Sequence, residues 1–430
     1  MTRRSMSWLL VLALPMTVIL SGCERKAARE DASNFEQSST DNPTGGGPPP
    51  DRPTRTGDEP SSTGEESQDY CRLVERGYGP RGEVAVRAEE VVDGLEVPWG
   101  ILFMGDGDLL VTERAGRLRL VRDGRLVNAP VATVEVAANG EGGLLGIQAH
   151  PDFESNHRFY LFYTADKGDA TVNRVEMWQL SQDGEALSAR PKKVIVDDIP
   201  AARFHNGGRM RLGPDDMLYI GTGDARNPDY AQDPEVLAGK VLRVTPGGDI
   251  PPDNPYGDSP VYLIGVRNTQ GFDWRDTSTM LVSDHGPSGE MGRTGHDEIN
   301  VAVPGENLGW PTIYGCQDEP KMSPPSLTWD TAVPPGGAAI YTGDAIGEWK
   351  GSLMVGTLGS RHLHRVAFDG DSRRVERHET YFVGDPPEGY GRLREVIMGP
   401  DGHLYVTTSN CDGRGSCPPD GDKILRIVPE

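Results

Sequence analysis

The sequence predicts an all-β protein built as a β-propeller, and three observations carry that reading. One phrase recurs: FMGDGDLLV (103–111), LGPDDMLYI (212–220) and MGPDGHLYV (398–406) each read as strand, Gly/Pro/Asp turn and apolar strand. Each copy is followed by a strand with an interior basic residue, GRLRLV (116–121), GKVLRV (239–244) and DKILRI (422–427), with RHLHRV (361–366) as a looser copy. From about residue 84 onward, apolar residues alternate between turn signals and no long amphipathic helix intervenes. Diverged four-stranded units repeated along a chain mean a propeller, whereas a sandwich or barrel needs no copied phrase. The copies are too unevenly spaced to count blades.

Composition agrees with a turn-rich β protein. The 430 residues include 55 Gly and 35 Pro, and the formal net charge is −22. So acidic a chain argues against nucleic acid or an anionic membrane surface as a partner.

The first 23 residues read as a targeting segment. Arg3 and Arg4 precede an apolar run from Trp8 to Leu20, and Leu20-Ser21-Gly22-Cys23 follows. The run is too short to favour a membrane span. It resembles a bacterial lipoprotein signal, which makes Cys23 the lipidated new N-terminus. The expected location is then the cell envelope outside the cytoplasm, with lipid as the sole membrane attachment. Residues 24–69 carry GGGPPP and repeated Ser, Thr, Asp and Glu, with nothing to offset the entropy of ordering, and read as a disordered tether. The propeller domain is assigned to 70–430.

Four further cysteines, Cys71, Cys316, Cys411 and Cys417, suggest two disulfides in an exported chain. Of three connectivities, Cys411 with Cys417 is favoured because both lie in CDGRGSC, which leaves Cys71 for Cys316.

Long polar loops separate the repeats, and in a propeller such loops gather at one end of the central channel. His205 opens FHNGGRM ahead of a hairpin, and Asn206-Gly207-Gly208 lets the backbone turn sharply beside it. Alone, a histidine there is more often structural than catalytic. NGEGGLLGIQAHPDF (139–153) contributes Glu141; VRNTQG (266–271) places Arg267 beside Asn268. In DHGPSGEMGRTGHDEIN (284–300), Gly286 and Pro287 offer carbonyls, and Asp297 and Glu298 offer carboxylates. YGRLRE (390–395) puts Arg392 and Arg394 on one face of a strand. One His, three Arg and a cluster of hard oxygens on an acidic protein suit a small polyanion held with a cation such as Ca²⁺.

The motifs GEGGLLGIQAHPDF, HNGGRM, AQDPEVLAGKVLRV, VRNTQG, HGP…DEIN, NLGWP and GRLREV occur in the order seen in another group. In that run the chain resembles the PQQ-dependent soluble glucose and aldose sugar dehydrogenases across roughly residues 91–430. The resemblance implies a six-bladed propeller that oxidises a sugar at its anomeric carbon to the lactone. Hydride passes to pyrroloquinoline quinone (PQQ), and an unidentified acceptor then takes the electrons. It implies His205 as the base and Arg267 as the group polarising the quinone carbonyl. Asn268, Arg392, Arg394 and Glu141 fall at cofactor-binding positions. Gly286 and Pro287 match carbonyl ligands of the cofactor's Ca²⁺; Glu298 matches a ligand of a separate structural Ca²⁺, and Leu308 falls at a metal-ligand position that can act through its carbonyl.

Four positions depart from glucose dehydrogenase proper. Glu141 replaces Gln, Phe204 replaces a substrate-contacting Asp, Leu308 replaces Tyr, and Gly359 falls near a cofactor lysine for which Arg361 is the expected substitute. The match is closer to the aldose or sorbosone-type enzymes. The alternatives are a Ca²⁺-dependent propeller hydrolase such as a lactonase, which has no need of converging arginines, and a non-catalytic binding propeller.

Overall fold

Six antiparallel sheets radiate around a central channel in the computed structural model, which describes residues 69–105 and 107–430. The targeting segment, Cys23 and all of the tether but Asp69 lie outside the described residues. Blade one runs Pro98–Phe103, Leu109–Glu113, Arg117–Arg122, with Arg125–Leu126 and Ala132–Thr133 sharing its outer edge. Blade two is Leu144–Ala149, Arg158–Asp166, Thr171–Asp183 and Ala186–Pro200; blade three is Met210–Leu212, Leu218–Gly221, Val241–Val244 and Val261–Leu263. Blade four, Thr269–Trp274, Met280–Asp284, Glu298–Ala302 and Leu327–Trp329, gains a parallel outer strand, Arg72–Val74. Blade five is Pro335–Ile340, Leu353–Thr357, Leu363–Phe368 and Val375–Tyr381. Blade six takes Leu393–Met398, Leu404–Thr408 and Asp422–Pro429 from the C-terminal end of the chain and Val86–Leu95 from far upstream. That pairing, Val86 opposite Pro429, closes the ring and leaves no blade missing a neighbour.

The recurring phrase has a physical cause. In blade three, Asp215 of the turn accepts from the Tyr219 hydroxyl at 3.0 Å and from Arg243 Nε of the third strand at 3.0 Å. In blade six, Asp401 does the same for Tyr405 at 3.0 Å and Arg426 at 3.4 Å. In blade one, Asp108 binds Arg122 at 2.7 Å. In blades three and six the turn carboxylate thus ties the first hairpin to the third strand and accounts for the interior arginine of GKVLRV and DKILRI, whereas Arg122 lies just past GRLRLV and the interior Arg119 of that copy pairs with Glu113 at 3.2 Å.

Inner strands pack closely around the axis. A Cβ on Gly146 would stand 2.1 Å from the Gly208 carbonyl oxygen, and one on Gly336 2.6 Å from that of Arg394. Arg209 crosses the channel: it pairs with Glu395 of the opposite blade, donates to the Gln270 carbonyl at 2.8 Å and lies 4.5 Å from the Trp99 ring. Both expected disulfides form, Cys71–Cys316 and Cys411–Cys417.

Candidate active site

A cavity of about 620 Å³ opens at one end of the channel. Its walls follow from topology. Antiparallel pairing sets the N-terminal end of each inner strand beside the C-terminal end of the second strand. Residues entering the inner strands therefore share one rim with residues leaving the second strands. Trp99, Glu141, His205, Arg267, Pro334 and Arg392 come from the entries of blades one to six; Arg114, Arg226, His285, Leu358 and Asp412 come from the exits.

His205 sits in the loop before Met210–Leu212 with φ 63°, followed by Gly207 at 67° and Gly208 at 112°. These left-handed conformations fold the chain back so that the imidazole faces the cavity. The His205 backbone N–H donates to Glu141 Oε2 at 3.0 Å, and Nδ1 lies 2.7 Å from Asp224 Oδ1. Asp224 also accepts from Trp310 Nε1 at 2.9 Å and from the Arg226 backbone N–H at 2.8 Å. A carboxylate so used is acceptor only, so the proton of neutral His205 resides on Nδ1 and Nε2 keeps its lone pair. Asp224 was not legible as a functional residue.

Arg267 and Asn268 are clamped by one buried carboxyl. Their backbone N–H groups donate to Asp284 Oδ2 and Oδ1, each at 2.7 Å, and burial still pushes the Asp284 carboxyl up to about 7. The Arg267 guanidinium, beside the Trp310 ring at 5.5 Å, donates to Glu290 Oε1 at 3.0 Å and leaves Nε without a partner. Asn268 Oδ1 accepts the Gly207 N–H at 3.0 Å, so this side chain also fixes the turn behind His205.

Arg392 and Arg394 converge as expected. Arg392 grips Asp412 through Nε at 2.9 Å and Nη2 at 2.7 Å; Arg394 reaches the same oxygen at 3.4 Å and Gln270 Oε1 at 3.1 Å. The Cys411–Cys417 loop supplies Asp412 and Arg414 to the wall. Arg414 binds Glu141 Oε1 at 2.8 Å. Burial works to raise the Glu141 carboxyl, but the His205 N–H and Arg414 outweigh it and hold it below the usual range. The carboxylate that departs from Gln is thus paired. Phe204 carries three guanidiniums near its ring, Arg203 and Arg414 at 5.4 Å and Arg226 at 5.9 Å, which makes it an aromatic platform at the mouth.

Other expectations fare differently. Gly359 lines the cavity, but Arg361, with φ 55°, turns to Asp385 and is absent from the lining, so it does not stand in for a lysine. Gly286 and Pro287 lie in sequence between the lining residues His285 and Ser288, one step behind the wall. Glu298 and Leu308 are outside the cavity, and the Leu308 side chain belongs to an apolar cluster with Leu263 and Val266, which leaves only its carbonyl as a donor to a metal. The sequence reading also missed Glu290, Asp412 and Arg414. A usable signal existed: all three, like Asp224, follow a second strand within a few residues.

The residues present fit the implied groups. The cavity presents Arg114, Arg267, Arg392, Arg394 and Arg414 to a small polyanion, and the buried Arg267 Nε and His285 Nε2 lack partners. Asp284 and Glu298 stand directly opposite each other on neighbouring strands. Burial, then the charge of Asp284, pushes Glu298 well up, and Asp297 is raised by burial to about 6. Facing carboxylates repel, and Asn300 Oδ1 beside them is buried without a partner. Two facing carboxyls and an amide oxygen are donors of the kind Ca²⁺ takes, although no three carboxylate or imidazole side chains gather as a metal site among the described residues.

Comparison with known proteins agrees with this geometry. A sequence model of the family described as Glucose / Sorbosone dehydrogenase matches residues 95–425. The chain is 30% identical to the aldose sugar dehydrogenase of Escherichia coli, over 76% of this chain and 91% of that one. It is 31% identical to quinoprotein glucose dehydrogenase B of Acinetobacter calcoaceticus, over 79% and 88%. The solved PQQ-bound form of the aldose sugar dehydrogenase of Streptomyces coelicolor superposes with a TM-score of 0.71 at 33% identity, covering 82% of this chain and all of that one. With its six blades, its ring of arginines around a histidine and a match spanning most of its length, the chain belongs to the glucose/sorbosone dehydrogenase family.

Proposed function

We propose that the protein oxidises the anomeric hydroxyl of an aldose sugar to the lactone, using PQQ and Ca²⁺. The observation that carries this is that His205, its Nδ1 held by Asp224, and Arg267 line one arginine-rich cavity. Arg392, Arg394 and Asn268 would hold the cofactor, with the Gly286 and Pro287 carbonyls toward its Ca²⁺. Bound there, PQQ supplies an electrophilic carbonyl carbon that accepts hydride. His205 takes the hydroxyl proton at Nε2, and Asp224 stabilises the imidazolium through Nδ1–H, a general-base role of roughly 10²–10⁴ in rate. Arg267 faces the negative charge that develops as hydride leaves carbon, and its burial strengthens that interaction. Phe204 offers its face to the sugar ring at the mouth.

The test adds PQQ and Ca²⁺ to the metal-free protein and follows bound-quinone absorbance and dye reduction with aldoses. Both signals are expected. Chelation should then weaken quinone binding and lower stability, by about 2.7 kcal/mol if free Ca²⁺ had stood at a hundred times its Kd. Failure of both signals with saturating quinone rules out the reading; an unchanged melting temperature on chelation rules out the calcium.

We further propose lipidation of Cys23, a tether over 24–69 and a catalytic domain over 70–430, which place the enzyme on the envelope, where it passes electrons to an external acceptor. Leu20-Ser21-Gly22-Cys23 supports this. Cys23→Ser should move the protein from membrane to soluble fractions; continued membrane fractionation points to an uncleaved helix instead.

A further inference from the structure

Glu290 belongs to none of the roles above, yet its carboxylate lines the cavity beside both Arg267 and His205. Oε1 lies 3.0 Å from Arg267 Nη2 and 3.7 Å from His205 Nε2, and Oε2 accepts the Ser288 N–H at 2.6 Å. One oxygen thus stands between the two groups that must both face the reacting atoms. We propose that Glu290 is an internal ligand: in the cofactor-free protein its carboxylate holds the seat on Arg267, and the 288–290 end of loop 288–296 must swing out before the quinone can enter. This rests on the reading of the cavity as a quinone site.

The loop is built for two positions. Gly289 has φ 115°, Met291 54°, Gly292 69° and His296 55°, so two non-glycine residues are held in the costly left-handed region. Around Gly289 and Gly292 there is open space, and Met291 is 54% exposed at the tip. On its far side the loop is held by Arg293, which donates to the Pro311 carbonyl at 2.9 Å and lies 5.0 Å from the Tyr314 ring. Thr294 and His296 are anchored too, by the Tyr314 hydroxyl at 2.9 Å and the Trp329 carbonyl at 2.7 Å, so movement belongs to the near end, where Glu290 and the Ser288 hydroxyl, 3.5 Å from Arg267 Nη2, meet the wall. The charge balance points the same way. Burial works to raise the Glu290 carboxyl, but Arg267 and the Ser288 N–H outweigh it and hold the group down to about 2, so it is ionised at neutral pH. A second anion cannot share Arg267 with a resident carboxylate without strong repulsion. The two therefore compete, and a cofactor whose seat is mostly filled binds more weakly by the fraction of time the seat is free.

The experiment uses the full chain, wild type and Glu290→Gln, with two readouts. One is trypsin cleavage after Arg293 in cofactor-free protein, followed by mass spectrometry; the other is PQQ titration by absorbance at fixed Ca²⁺. Glu290→Gln is expected to speed cleavage severalfold without cofactor. It should also tighten quinone binding about tenfold, the gain from opening a seat that is about nine-tenths filled. Loaded wild type should be cleaved faster than the cofactor-free form. Unchanged cleavage in the variant overturns the proposal, as does quinone affinity that is unchanged or weaker, the latter meaning that Glu290 helps hold the cofactor. If neither protein takes up quinone, the proposed function fails, and the cleavage rates alone decide whether Glu290 latches the loop.

Discussion

His205→Gln is expected to lower turnover by about a hundredfold or more while leaving quinone and Ca²⁺ affinity nearly intact. Glutamine keeps a polar group toward Asp224 and the cavity but cannot take a proton from a sugar hydroxyl. The backbone contact of residue 205 with Glu141 does not depend on the side chain. Arg267→Ala separates binding from chemistry in the other direction. It removes a guanidinium from the cavity wall and leaves Glu290 without its cation. Quinone should bind more weakly, and turnover restored by excess quinone should stay slow, since the contact strengthens as charge develops. Titration therefore distinguishes them: the His205 variant saturates normally and stays slow, the Arg267 variant needs more cofactor. Wild-type turnover in His205→Gln would reduce His205 to a structural residue and return the hydrolase and binding readings to the front.

The parts of this site that were legible are those encoded locally. The turn–strand phrase repeats because Asp215, Tyr219 and Arg243, like Asp401, Tyr405 and Arg426, satisfy one another within a blade. The entry loops announce themselves through glycines, as at Gly207 and Gly208, where the chain must turn left-handed. Blade count was not encoded this way. Thr171–Asp183 and Ala186–Pro200 make blade two long, while Met210–Leu212 and Leu218–Gly221 make blade three short, so no period survives. Partnerships across the ring were also invisible. Asp224 meets Trp310 across neighbouring blades, while Arg414 meets Glu141 and Arg209 meets Glu395 because closure brings distant blades to one axis. Arg361 failed as a lysine substitute for a local reason: its backbone turn points it at Asp385.

Acid should act against this fold through blade five, which buries three neutral histidines. His362 Nδ1 lies 3.1 Å from the Ser360 carbonyl, His362 Nε2 lies 3.0 Å from His364 Nδ1, and His364 Nε2 is buried without a partner. His378 stacks on His364 at 5.5 Å, and its Nδ1 is likewise unpartnered. Tyr78 covers His362 at 5.2 Å, Trp329 meets His364 edge-on at 5.0 Å, and Gly79 closes against His378. Burial lowers His362 to about 4 and His364 well below its ordinary value. Burial and then the charge of Arg72 bring His378 to about 4, with Glu379 opposing. These folded values lie below the unfolded one, so between about pH 6.5 and 4 the unfolded chain binds protons that the native protein refuses. Stability is complete above that window and lost as the pH falls through it. Each histidine costs about 1 kcal/mol between pH 6.5 and 5.5, where the unfolded ring is still filling, and approaches about 1.4 kcal/mol per pH unit below that, so the three together cost about 3 kcal/mol between pH 6.5 and 5.5. That is a large share of the 5–15 kcal/mol typical of a folded domain. The carboxyls divide by environment: buried Asp284 and Asp297, raised to about 7 and 6, and Glu298, raised well up, take protons in the native protein first and oppose the histidines in the same window, whereas Asp197, held down to about 2, loses its contribution only below the usual carboxylate range. Denaturant melts from pH 7 to 4.5 measure the slope, and His364→Gln should reduce it by about one histidine's worth. Histidine proton resonances of the native protein give an independent reading should that variant not fold. A slope unchanged in the variant, or native resonances of the trio that titrate near 6.5, would show that these rings charge freely and that acid acts elsewhere.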